Sequence, residues 1–225
     1  MKRALFFLIS LHTCFTIHSQ SQSLGIEFTI DNKPLEIGKK IYSTSLKDSL
    51  QIDAFRFYIS SVTLFNGKEK VCSLEQTHLL IDAEKKETTS IKIPTEKEFN
   101  LISFQLGVDS ITNSTGAHGG DLDPMNGMYW SWQSGYINLK LEGSSGVCPT
   151  RKNKFKFHLG GYSYPNNSLA AVSINIPKGK EKVILIPLDS FFNNADLTTL
   201  HSVMSPGINA SRLMKIIADS ISCEG

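Results

Sequence analysis

From residue 25 onward, apolar and polar positions alternate with a period of two in one short segment after another. This is the pattern of strands half buried in a sheet. Segment 25–30 sets Ile26, Phe28 and Ile30 on one face and ends in Asp31-Asn32-Lys33-Pro34, a turn sequence. Segment 54–65 is dense in aromatic and β-branched residues and stops at Asn66-Gly67, a hairpin signal. Further strands are expected over 78–81, 89–93, 101–108, 136–141, 154–159, 170–176 and 182–187. Only 209–221 has helical spacing, with Leu213, Ile216, Ile217 and Ile221 along one stripe and a start at Asn209 or at Pro206-Gly207. Eight or nine short strands separated by polar turns predict an all-β fold, a β-sandwich with Greek-key connections and a short C-terminal helix. A closed barrel obeys the same pattern. No repeat or low-complexity linker divides the chain, so residues 20–225 are expected to form a single domain, within the size range of large sandwiches.

The start of the chain follows another plan. Lys2 and Arg3 precede an apolar run over 4–11, too short for a bilayer-spanning helix of roughly 20 residues. The polar, small-residue stretch Ile17-His18-Ser19-Gln20-Ser21 follows. This is the layout of a secretory signal peptide, residues 1–19, with cleavage expected after Ser19. Cys14 invites a lipid anchor, but His12 stands where a lipobox favours a small or apolar residue. The expected location is therefore periplasmic or extracellular, with no transmembrane segment in the mature chain. In such an oxidising compartment two of Cys72, Cys148 and Cys223 are expected to form a disulfide, and the spacing leaves open which two.

Net charge is only +2 and the lysines and glutamates are dispersed, so there is no basic stripe for nucleic acid. No Gly-x-Ser-x-Gly elbow, Walker loop, dinucleotide fingerprint or His-Glu-x-x-His helix is present, and the chain is not expected to be an enzyme.

The centre of the chain stands apart. Both tryptophans lie in Asp121-Leu122-Asp123-Pro124-Met125-Asn126-Gly127-Met128-Tyr129-Trp130-Ser131-Trp132-Gln133-Ser134-Gly135-Tyr136. In a strand, Trp130 and Trp132 would share a face and form an aromatic platform at one end of the sandwich. Ordinary core packing of large rings explains the same pair. Asp121-x-Asp123 hints at calcium, yet Asn126-Gly127 falls one position late and Trp132 stands where a bidentate Glu is needed. Turn formation by Asp-Pro and Asn-Gly accounts for these residues better. Four histidines lie beyond the leader: His78, His118, His158 and His201. Copper(I) takes imidazole and soft sulfur donors and needs only two or three. His118 sits in a glycine-rich loop, His201 and Met204 form a His-x-x-Met pair, and His158 faces away from Phe155 and Phe157 in an alternating strand. Each histidine also has a bland explanation, as a surface or hydrogen-bonded residue, and His78 at the start of a strand reads as structural.

The runs Asp121 to Pro124, Gly127 to Tyr136, Lys140-Leu141-Glu142-Gly143 and Phe157-His158-Leu159-Gly160-Gly161, with a weaker trace at His201-Ser202-Val203-Met204, resemble the methanobactin-associated MbnP-like family of extracytoplasmic copper-binding proteins. The resemblance implies a copper-binding β-sandwich outside the cytoplasm, for acquisition, storage or delivery of the metal. It also implies that a tryptophan is oxidised to kynurenine by a partner di-haem peroxidase and joins histidines at a copper(I) site. That tryptophan falls on Trp130 or Trp132, and the histidine of the second block falls on His158. No histidine adjoins the tryptophan pair here, where a second ligand would be expected. The alternative is a metal-free β-sandwich that binds a protein or small ligand through the aromatic region 119–136.

Overall fold

The computed structural model describes residues 22–44, 46–132, 135–179 and 182–225; the expected signal peptide and Cys14 lie outside them. β1 (Gln22–Ile30) turns through Asp31 and Asn32 into β2 (Lys33–Pro34), and both turn residues have positive φ, as a type I′ hairpin requires. β3 (Lys40–Ser43) leads into β4 (Asp48–Asn66), the long strand around which the larger sheet is built. Gly67, with φ of 60°, turns β4 into β5 (Glu69–Ser73), the hairpin that Asn66-Gly67 predicts. β6 (His78–Asp82) pairs with the middle of β4, β7 (Ser90–Ile93) returns to β1, and β8 (Leu101–Leu106) returns to β4.

After α1 (Ser110–Ser114) come the short β9 (Tyr129–Trp130), then β10 (Gly135–Ser145), β11 (Lys154–Gly160), β12 (Ala170–Asn175) and β13 (Val183–Pro187). α2 (Asp189–Asn194), β14 (Ser202–Val203), α3 (Ile208–Ser220) and β15 (Ser222–Glu224) close the chain. All nine expected strands are present. The described residues hold fifteen, because six pieces of two to five residues are too short to show a period. α3 starts after Gly207 and not at Asn209, which lies within its first turn.

Two sheets share one core. The smaller runs β15-β13-β1-β2 with β7 on β1, and the larger runs β12-β8-β4-β10-β11-β14. Phe28 of the smaller sheet meets Phe55 edge-on at 5.3 Å, and Phe191 of α2 meets Phe157 of β11 at 4.9 Å. α3 buries Leu213, Met214 and Ile217 against this core. The three cysteines are free, which corrects the expected disulfide: Cys72 is on β5, Cys148 is buried in the turn after β10, and Cys223 is on β15 of the other sheet. Among the described residues no helix is long and apolar enough to cross a membrane.

The feature that positions the site is a fork on β4. β10 pairs with residues 50–57 of β4, and β8 pairs with residues 59–65 along the same edge. The described part of the connection from β8 to β10, residues 107–132, therefore leaves the sheet close to where β10 enters it and is laid over its outer face. Asn138, fully buried, fills the fork: its Oδ1 accepts from Val108 N at 2.9 Å and its Nδ2 donates to Ser168 Oγ at 2.9 Å. Gly107, with φ of 112°, is required there, since a Cβ would stand 2.6 Å from Asn138 Cγ.

Candidate functional site

The outer face of β4 and β10 alternates correctly yet is not exposed where segment 107–132 covers it. Tyr58 and Tyr136 both point outward and both are buried, in a second apolar cluster with Val108, Leu122, Met128, Trp130 and Ile137. Each phenol donates to a backbone carbonyl of the covering segment, Tyr58 Oη to Asp121 O at 3.1 Å and Tyr136 Oη to Leu122 O at 3.0 Å. Burial, chiefly, raises both phenols above the ordinary tyrosine range, so they remain donors. Asp121 accepts from Leu80 N at 2.9 Å and Gln76 Nε2 at 3.0 Å, which caps the open edge of β6. Asp123 accepts from Met125 N at 2.8 Å and starts the 3-10 turn Pro124–Asn126, which ends at left-handed Gly127. Both aspartates are thus used in building the loop.

Beyond this cluster lies a charged row. Register sets Asp82, Arg56, Lys140 and His158 side by side across β6, β4, β10 and β11. Arg56 pairs with Asp82 and Glu84, each at 2.9 Å, while Lys140 Nζ donates to Gly127 O. Burial lowers the Lys140 ammonium, only partly offset by Glu142. His158 ends the row, 8 % exposed, with Nε2 2.6 Å from Glu142 Oε1. Burial lowers its pKa, and Lys140 and Lys156 add to that, outweighing the opposing pull of Glu142. The imidazole is therefore neutral at pH 7, the form that can ligate a metal.

The next outward position on β11 after His158 is Gly160, and the Trp130 ring occupies it: a Cβ there would stand 2.6 Å from Trp130 Cζ3 and 2.7 Å from Tyr136 O. Trp130 is 5 % exposed, and its Nε1 is buried without a hydrogen-bond partner among the described residues. Trp132 leans against it at a tilt of 44°, ring centroids 5.6 Å apart, but stands 65 % exposed. The platform exists, although Trp132 lies in the turn after β9 and not in a strand; Gln133 and Ser134 fall outside the described residues. On the other side of β11, parallel pairing with β14 sets Lys156 beside Ser202 and Phe157 beside Val203, so continuing the register brings Met204, 40 % exposed, next to His158.

The other candidate ligands are not gathered to this point. His118 is exposed in the loop, its Nε2 2.8 Å from Thr115 Oγ1 and its backbone N donating to Tyr136 Oη. His201 precedes β14, where its carbonyl accepts from Lys156 N and its Nδ1 is buried without a partner among the described residues. In an extended segment positions 201 and 204 lie on opposite faces, so the His-x-x-Met pair does not converge. His78 contacts Asp109 at 3.1 Å and Thr77, a structural brace. No group of three or more His, Cys, Asp or Glu able to hold a metal ion occurs among the described residues. The donor types on this face that suit copper are the His158 imidazole and, at the next position along the β11–β14 register, the Met204 thioether. Glu142 was missed in the sequence, because only strand register shows that it reaches His158.

Comparison with known proteins bears on this face. A family model described as MbnP matches residues 19–205. Among solved structures, MbnP from Methylosinus trichosporium superposes with a TM-score of 0.56 at 13 % identity, covering 84 % of this chain and 82 % of that one, a likeness of fold. No curated protein matches.

Proposed function

This chain belongs to the MbnP family, and on that premise we propose that it is an exported copper-binding protein serving acquisition, storage or delivery of the metal. The observation that carries the reading is the placement of Trp130 over Gly160, immediately beside the buried, neutral His158 on one face of β11. An uncharged imidazole and a thioether are the donor types that copper(I) selects. His158 would be the central ligand, with Met204 at the adjacent edge of the sheet. By the same resemblance, a di-haem peroxidase partner would convert one tryptophan to kynurenine. Trp132 is the ring open to such a partner, while Trp130 is packed into the sheet.

The test is titration of residues 20–225, taken from natively exported protein, with Cu(I) and Cu(II) beside His158→Ala, with peptide mass analysis of both tryptophans. Stoichiometric tight copper that is lost in the variant is expected. No copper above buffer competition, together with unmodified tryptophans, would overturn the reading. A second reading is favoured by the 90 % exposure of Met125 and by that of Trp132: a metal-free module that binds a protein or small ligand through 119–136. In that case Trp132→Ala would abolish binding and His158→Ala would leave it intact.

A further inference from the structure

We infer that Glu142 is a positioning residue that holds His158 as the Nε2–H tautomer and so makes Nδ1 the nitrogen that meets the metal. The inference rests on the copper reading above for its functional half, and on the coordinates alone for its chemical half. An ionised carboxylate can only accept, so the ring nitrogen facing Glu142 Oε1 at 2.6 Å must carry a proton. With Nε2 held on Glu142, Nδ1 is the ring nitrogen left to offer a lone pair to a metal. Three features keep this contact in place. Glu142 and His158 sit on adjacent antiparallel strands, with Glu142 opposite Lys156 and His158 opposite Lys140. Phe157 and Leu159, flanking His158, are fully buried in the core and fix the strand beneath it. Lys140, on the same face of β10, donates to Gly127 O rather than to Glu142. A carboxylate on the far nitrogen of a ligating imidazole orients the ring and raises its basicity, and losing it typically weakens metal affinity about 10–100-fold.

Two readouts test this. Long-range proton–nitrogen correlation NMR on the metal-free protein should show His158 as the Nε2–H tautomer, becoming a mixture in Glu142→Ala and returning toward the original state in Glu142→Gln, whose amide oxygen can still accept. Cu(I) competition titration should show an affinity loss of about 10–100-fold in Glu142→Ala, less in Glu142→Gln. An Nδ1–H tautomer in the unmodified protein, or a tautomer unchanged in Glu142→Ala, would overturn the inference whatever copper does. So would a shifted tautomer with unchanged copper affinity. Copper binding indifferent to His158→Ala would instead sink the copper reading and leave the tautomer result standing.

Discussion

Phe157 and His158 are neighbours in sequence and occupy opposite faces of β11, and the two faces are organised differently. On the inner face Phe155, Phe157 and Leu159 are buried together against α2 and the smaller sheet. Nothing there needs a particular partner beyond apolar volume, because the hydrophobic effect is non-directional. The outer face is covered by one crossing segment, whose loop carbonyls, capped turns and aromatic rings each meet a specified group. Its contacts are directional: carbonyls on the Tyr58 and Tyr136 hydroxyls, Gly127 O on Lys140, Glu142 on His158. The inner face therefore carries most of the stability, while the outer face carries the directional polar contacts.

Three substitutions sharpen or break this contrast, in descending order of effect. Phe157→Ala removes a fully buried ring from its contact with Phe191 and should cost about 3–5 kcal/mol in denaturant unfolding. A loss under about 1 kcal/mol would mean the inner face is not the main source of stability. Gly160→Ala pushes a methyl into both the Trp130 ring and the Tyr136 carbonyl, and should cost about 1–3 kcal/mol while shifting tryptophan fluorescence. An unchanged spectrum would remove Trp130 from its place beside His158. Trp132→Ala should alter stability by no more than about 0.5 kcal/mol, since the ring is mostly exposed. A larger loss would make Trp132 part of the fold and deprive the outer face of its only exposed tryptophan.

The alternation of 25–30, 154–159 and 170–176 was legible because each strand buries one face, and a period of two survives in any sequence that does so. For the same reason the outward position of His158 could be read directly. β4 was legible only from Ala54: Leu50 and Ile52 continue its apolar face toward Asp48, but a bulge between Ile52 and Ala54 shifts the period by one residue and hid the extension. The burial of Tyr58 could not be read at all. Its face is polar in the neighbouring residues Arg56 and Ser60, and only the crossing segment covers it. The expected disulfide failed because cysteine count says nothing about which elements become neighbours.

The chain's own pattern determined nine of its strands, its terminal helix and the hairpins at Asp31-Asn32 and Gly67, all of which depend on interactions within a few positions. Tertiary structure alone decided that β8 and β10 share an edge of β4, that segment 107–132 is thereby folded over the outer face, and that Trp130 and Glu142 are brought to His158 while His118 and His201 are not. The physical reason is that strand register is a relation between distant segments. A shift of one residue in the β10–β11 pairing would turn Glu142 away from His158 without changing a single amino acid.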